Sequence, residues 1–415
     1  MKKFVTFLLA SIALVLLVGL AGCNRDGDAQ GITDTTITVG NTAATSGAFA
    51  MVGVPFNDGI RAYFHRVNEA GGIHGRELRF VHHDDGFDAV NGLAFTEALI
   101  HDDGVFAIVG HFGSPTIGAT LGLLRETGIP TVYFASGIGA LFSDDAFDNA
   151  RGRNIFPVQA IFVTEGRVLA ARAIEEYDAR NIGIIYTSDE AGMDYLRGVR
   201  MQVEAMGAGF TTTEHQISPG QADVSSAVLD MINSNVDVVI IASSQASFII
   251  VANAMSAAGL TVPVFTSYVS ADPTAIAMIA EDYIGMEATF PIYSTAWLDP
   301  DGIVDFLDFV DGVTAFGDPS LAASAFAMAG WVAASTFVQG MQATDPDNLT
   351  WEGFIEAMES TPINVPMAGT MDFSNGQRTG TEYLALLRAN FETGAWDTVR
   401  PLESLHAVIA RVSGR

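Results

Sequence analysis

The chain has a single cysteine, Cys23, and only two lysines, Lys2 and Lys3, all at the N-terminal end. One thiol excludes an intramolecular disulfide, a CxxC redox pair and any cysteine-rich metal site. Positive charge is scarce throughout: 20 basic residues stand against 48 acidic ones, a formal net charge of −28. The deficit deepens once both lysines are removed with residues 1–22. A nucleic-acid or anionic-membrane surface needs clustered basic side chains, so neither partner is expected. The glycine-rich phosphate loops are missing too. Neither GxxxxGK[ST] nor GxGxxG after a strand occurs, and no nucleotide cofactor is expected. There is no GxSxG elbow and no HExxH. What the chain does have is apolar mass: 49% hydrophobic residues and only 16% charged over 415 residues. That composition excludes a disordered tail or a coiled coil and suits roughly two to three domains of ~150 residues.

One long apolar run is almost unbroken, Phe4–Leu20, and it follows Lys2 and Lys3. Leu20-Ala21-Gly22-Cys23 then reads as a bacterial lipobox, with small residues before the cut and a thiol to carry diacylglycerol. Residues 1–22 are expected to be a lipoprotein signal peptide. Cys23 is the lipidation site, and acyl chains hold the protein to the membrane. Residues 23–34 are polar and glycine-rich and read as a flexible tether. The body is then extracytoplasmic, touching the membrane through its lipid alone, in the periplasm or at the outer face of the cell membrane.

The body alternates short apolar strands with amphipathic helices. Ile37–Val39, Leu78–His82, Val105–Val109 and Thr131–Phe134 read as strands, and Phe56–Ala70, Ala89–Ile100 and Thr116–Arg125 as helices between them. In the first helix Ile60, Tyr63, Phe64 and Val67 fall on one face. The pattern restarts with helix Glu165–Tyr177 and continues through Val262–Thr266. This βα alternation implies parallel sheets with helices on both faces. The fold class is α/β: two doubly wound, Rossmann-like lobes. Residues 286–415 complete the two lobes. Met371–Phe373 and Thr381–Leu387 flank Asn375-Gly376, a hairpin signal. Ala322–Gln342 reads as a buried core helix, since Ser335, Thr336 and Gln339 interrupt its apolar run. Ligands bind beyond the carboxyl ends of parallel strands, which with two lobes becomes a cleft between them.

Two acidic and histidine-containing motifs resemble metal sites, His82-His83-Asp84-Asp85 and His101-Asp102-Asp103. Adjacent strand residues point to opposite faces, so His82 and His83 do not converge. No metal and no catalytic residue is expected. Asp144-Asp145 and Asp299–Asp301 read as solvated turns.

The ordered segments resemble the periplasmic leucine/isoleucine/valine-binding proteins, the type I solute receptors of branched-chain amino acid ABC importers. The resemblance is carried by residues 36–47 (TITVGNTAATSG), by Val67–Asp85 with its NEAGGI.G..L...DD skeleton, and by Val109-Gly110-His111 with Ser114. Gly128-Ile129-Pro130, Asp237-Val238-Val239 and Ala257-Ala258-Gly259-Leu260 follow in matching order, over residues 36–285 and more loosely to about 390. It implies a monomeric binder, not an enzyme. Its two lobes are joined by three crossings, near Phe156–Ile161, Gly285–Tyr293 and Met367–Phe373. The first lobe takes residues 35–155 plus 290–370, the second 156–289 plus 371–415. The binder delivers a small-molecule solute to ABC permease and ATPase subunits; a sensor of the same fold would hand it to a signalling partner instead. By the resemblance, Ser114 and the backbone of Ala135, Ser136 and Gly137 hold a ligand carboxylate. Helix N-termini placed after those strands favour an anion. Ser114 also reads as an N-cap, and one hydroxyl serves both roles. Phe49, Met51, Val52 and Phe112 form an apolar wall.

The departures concern the ligand's ammonium group. Gly137 stands where amino-acid binders place a threonine, and Tyr268 where they place an acid. Ser244 and Ala191 replace tyrosines, while Phe87 and Gly113 replace the family's disulfide. An ammonium desolvated without a carboxylate is costly. Either Asp189 or Glu190 supplies the acid, or the ligand is not a simple α-amino acid. A secreted hydrolase built on Ser114 and His111 is the remaining reading; it lacks an elbow and an orienting acid.

Overall fold

The computed structural model describes residues 30–143, 145–147, 152–283, 291–298 and 303–414. The signal peptide, Cys23, Asp144 and Asp299–Asp301 lie outside the described residues. Two sheets form the body, one parallel throughout and one mixed.

The first lobe is built from β1 (Thr36–Ala43), α1 (Ala50–Glu69), β2 (Glu77–Asp84), α2 (Ala89–His101), β3 (Ala107–Phe112), α3 (Ser114–Thr127), β4 (Thr131–Ala135) and β5 (Ile155–Phe156). Its strands are parallel in the order β2-β1-β3-β4-β5. Residues of β3 are buried throughout, as a strand covered on both faces requires. Gly110 (φ 72°) and Tyr133 (φ 62°) are both left-handed. They lie opposite each other, between the Val109–Val132 and His111–Phe134 pairs. Both strands therefore bend at one level, which aims the loops after β3 and β4 into the interlobe space.

The second lobe follows with α4 (Phe162–Tyr177), β6 (Asn181–Thr187), α5 (Glu190–Met206), β7 (Thr211–Ile217), α6 (Ser225–Asn233), β8 (Val238–Ala242), α7 (Gln245–Ala257), β9 (Val264–Thr266), α8 (Pro273–Tyr283) and β10 (Ile292–Ala296). The chain then returns to the first lobe with α9 (Ile303–Phe316), α10 (Ala325–Ala343), α11 (Trp351–Ser360) and the small ribbon of β11 (Ile363–Val365) and β12 (Gly369–Met371). It ends in the second lobe with β13 (Tyr383–Asn390), β14 (Ala395–Ser404) and α12 (Leu405–Ser413). The second sheet runs β14-β13-β10-β9-β8-β6-β7, with β13 and β14 antiparallel.

Two expected lobe boundaries move. Ile292–Ala296 does not open the return to the first lobe at residue 290: it is a buried strand pairing in parallel with β9. The second lobe therefore includes it. Residue 371 is not the last return either. Met371 pairs back with Ile363. Arg378 is buried over the Phe156 ring at 4.4 Å and donates to Glu359 at 2.8 Å, which ties Phe373–Arg378 to the first lobe. The hairpin expected around Asn375-Gly376 does not form; Asn375 (φ 55°) sits in a one-turn 3-10 helix, and β13 pairs with β10 and β14 instead. The expected crossing at Phe156–Ile161 coincides with the chain between β5 and α4.

The apolar segment near residues 322–342 is a buried helix, α10, packed against α1. A Cβ on Gly59 would lie 2.0 Å from the Ala327 carbonyl oxygen, and one on Gly330 1.9 Å from that of Phe56. Small residues here let two helices touch backbone to backbone. At the other end of the molecule, buried Arg172 of α4 donates to Glu175 at 2.8 Å and to Glu403 of β14, which fastens the C-terminal hairpin. Arg411 and Arg172 beside Glu403 overcome its burial and hold its carboxyl down at about 2. Among the described residues no helix is long and apolar enough to cross a membrane.

Candidate functional site

A cleft of about 360 Å³ opens between the lobes, at the carboxyl ends of both sheets. The first lobe contributes Phe49, Val52, Phe56, Phe87, Phe112, Gly113, Ser114 and Ala135. The second contributes Phe162, Asp189, Ala191, Tyr195, Ser243, Ser244, Tyr268 and Val269. Trp297, Leu298, Phe306, Phe326, Met328 and Met367 add further apolar lining.

The first-lobe wall is aromatic. The Phe49 and Phe87 rings stack at 3.9 Å, and Phe112 lies 5.7 Å from Phe56. Phe87 also lies over Gly113, where a Cβ would be 3.1 Å from the ring. The two positions that carry a disulfide in the resembling family are thus bridged here by a ring packed on a glycine. Among these rings lies a small polar patch. Ser114 Oγ and Ser136 Oγ are 2.8 Å apart, and Ser136 also accepts from the Ile138 N–H at 3.3 Å. Ser114 is not the N-cap, as expected, but the first residue of α3; Gly113, at φ 90°, occupies the cap. Pro115 beside it suits the helix start. Ser114 and Ala135 reach the cleft, whereas Ser136 and Gly137 are set behind it. Gly137 is pressed against the first crossing: a Cβ there would meet the Ala160 oxygen at 2.1 Å. No threonine fits that position.

The second-lobe residues divide. Ser244 precedes α7, lines the cleft and has a buried Oγ without a hydrogen-bond partner. Asp189 lines the cleft as the N-cap of α5, its Oδ1 accepting from the Thr187 hydroxyl at 2.6 Å and the Gly192 N–H at 3.1 Å. Glu190 does not line it; its carboxylate reaches across to α3, 2.9 Å from where a Gly118 Cβ would stand. Asp194 also crosses, accepting from the Gly139 N–H at 2.6 Å. The lobes are therefore in contact around the cleft. The Tyr268 ring lines the cleft, but its hydroxyl points away and donates to the Ala160 oxygen at 2.9 Å. At the position where amino-acid binders place an acid, the cleft thus receives the Tyr268 ring and not its hydroxyl, which the crossing backbone accepts.

Sequence reasoning missed Glu165, in the first turn of α4. It is fully buried and has no cationic partner. Its Oε2 accepts from Tyr195 Oη at 2.7 Å and Ser267 Oγ at 3.0 Å; its Oε1 accepts from the Tyr268 N–H at 3.1 Å and from the Thr295 hydroxyl. Burial pushes this carboxyl up to about 7, against the pull of those four donors. The available signal was an acid at i between Phe162 at i−3 and Val168 and Leu169 at i+3 and i+4, on the buried face of the helix. Gln159, also missed, donates to the Tyr133 hydroxyl at 2.7 Å from within the first crossing.

The two dismissed metal motifs are engaged otherwise. His82 bonds Asn41 and Thr45, and His83 bonds Asp103 at 2.7 Å. No group of metal-ligating side chains occurs among the described residues. The pairing a hydrolase needs is not formed. His111 is buried between Thr120, at 2.8 Å, and Thr42, while Ser114 turns to Ser136. Burial lowers the His111 imidazole to about 3.

This arrangement is shared with known proteins. A leucine-, isoleucine-, valine-, threonine- and alanine-binding protein of Pseudomonas aeruginosa is 23% identical over 50% of this chain and 52% of its own. The chain spans about half the length of the curated relatives it matches. Among solved structures, a fatty acid ABC transporter substrate-binding protein from Thermomonospora curvata superposes with a TM-score of 0.78 at 18% identity, covering 94% of this chain and 96% of that one. A solute-binding protein of an ABC transporter from R. palustris in complex with benzoate gives 0.75 at 19% identity, covering 89% and 98%. Residues 36–395 match the family described as periplasmic binding protein. With two doubly wound lobes closed on one cleft, the chain belongs to the periplasmic binding protein family, of the type I fold.

Proposed function

We propose that the protein is the extracytoplasmic receptor of an ABC importer, that Cys23 anchors it by lipid, and that its solute is an apolar carboxylate or amide without an α-ammonium. The observation that carries this reading is that no acid stands at the Tyr268 position, and that Asp189, the acid that does line the cleft, already serves as the N-cap of α5 and acceptor of the Thr187 hydroxyl. Tyr268 stands where an acid would serve, with its hydroxyl turned to Ala160. Glu165 is sealed behind it, and the Asp189 Oδ1 is held by α5 and Thr187. A buried ammonium left unpaired costs several kcal/mol, which is a hundredfold or more in affinity at ~1.4 kcal/mol per decade. The aromatic wall and the apolar lining from Trp297 to Met367 suit a hydrocarbon body. Two proteins of this fold are named for a fatty acid and for benzoate, both carboxylates of that kind.

Calorimetry with leucine, 4-methylpentanoate, its amide, octanoate and benzoate tests the reading. At least one acid or amide is expected to bind at least a hundredfold more tightly than leucine. Submicromolar leucine binding would overturn it and make Asp189 the ammonium partner.

A further inference from the structure

We infer that Glu165 is a positioning residue that exchanges a proton with ligand binding and thereby sets which ligand charge the cleft accepts; this rests on the receptor reading above. Glu165 touches no ligand space itself. It stands directly behind two residues that do, Tyr195 and Tyr268, and is hydrogen-bonded to both. It also joins the crossings, because α4 begins where the first one ends and Thr295 closes β10 just before the chain leaves the lobe.

The surroundings leave Glu165 as the group that changes charge near neutrality. From α5 it faces Tyr195; from the loop after β9, Ser267 and Tyr268; from β10, Thr295. Both phenols are pushed up by burial and stay neutral. β14 and α12 meet α4 where Arg172, Glu175, Glu403 and Arg411 pair with one another. No cation balances Glu165, so its ionised form is held by hydrogen bonds alone.

With Glu165 ionised, four donors converge on it. Once protonated it needs an acceptor for its own O–H, so one hydroxyl must reverse. Tyr195 Oη and Ser267 Oγ also lie within hydrogen-bonding distance of each other, so either hydroxyl can turn from Glu165 to its neighbour. The Tyr195 and Ser267 hydroxyls then rearrange behind the wall, and the negative charge there is gone. An entering carboxylate therefore favours protonated Glu165, and one proton is taken from the buffer. A neutral amide brings no charge and has less to gain.

Calorimetry with octanoate and octanamide at pH 6, 7 and 8, in buffers of different ionisation enthalpy, provides the test. Octanoate is expected to bind about tenfold more tightly at pH 6 than at pH 8, following the protonated fraction, with proton uptake. Octanamide should be nearly flat. Glu165→Gln should bind octanoate with one affinity at all three values, close to the wild-type value at pH 6; a purely structural role would weaken binding equally at every pH. Tyr195→Phe, which keeps the ring, is the second variant and should flatten the profile as well. A flat wild-type profile, or an unchanged slope in either variant, would overturn the inference. Absence of octanoate binding at every pH would overturn the ligand class instead. The carboxyl-13C glutamate resonance that disappears in Glu165→Gln then decides: titration near 7 upholds the assignment, and titration near 4.5 ends it.

Discussion

Ser114 and Ser136 share one hydrogen bond in the free cleft, and that bond bears on how a ligand is held. A bound carboxylate would take the Ser114 proton, leaving Ser136 to its contact with the Ile138 N–H. A hydrogen bond to a charged group contributes ~1.5–3 kcal/mol. Ser114→Ala should therefore weaken a bound carboxylate by ~10-fold to ~100-fold. Stability should change little, because Gly113 and not Ser114 caps α3; equilibrium unfolding checks this beside the affinity. Equal affinity in the variant would make the hydroxyl a packing group only. Ser114, Ser244, Tyr268 and the Phe49 and Phe112 wall were legible in sequence because they stand at or after strand ends, where the loops border the cleft, although Ser136, Gly137 and Glu190 in such loops do not line it. Glu165 was not. Its importance comes from Tyr195, Ser267 and Thr295, which lie far from it along the chain and meet it only through the sheet order. Nor does sequence reveal that the Tyr268 hydroxyl finds a backbone acceptor before it finds solvent or ligand.

At the level of elements, the first crossing is tightly packed. The segment Gln159–Ala160 is gripped by glycines from both sides: Gly137 after β4, and Gly380, where a Cβ would come within 2.2 Å of the Gln159 oxygen. Gly380 is also left-handed, at φ 65°. Gly394, at φ 69°, shares that conformation but has no atom within 4 Å of its would-be Cβ. Gly394→Ala should thus cost ~1 kcal/mol from backbone strain. Gly380→Ala should cost that plus the displacement of a crossing, ~2–4 kcal/mol in all. Equal losses in thermal unfolding would mean that the crossing yields freely. The βα alternation of both lobes was readable because buried parallel strands give continuous apolar runs. The last third was less so. Asn375-Gly376 has hairpin chemistry, yet buried Arg378 and its bond to Glu359 hold that stretch to the first lobe. The 292–296 strand is short, and the sheet that claims it is assembled from distant parts of the chain.

The whole molecule is strongly acidic, with a formal charge of −28. Such a surface is repelled by anionic lipid, so the membrane attachment proposed above rests on Cys23. Cys23→Ser should leave the protein unprocessed or free it from the membrane fraction. A processed, membrane-bound variant would refute the lipobox. Two of the four tryptophans, Trp297 and Trp396, line the cleft, while Trp331 is packed between Tyr63 and Phe309. The indole of Trp297 lies 6.2 Å from the Tyr133 ring and is 5% exposed. The protein therefore carries its own optical gauge: a solute that enters the cleft changes the emission of these two indoles while the Trp331 signal stays as a built-in reference, and occupancy can be followed by light without any attached dye.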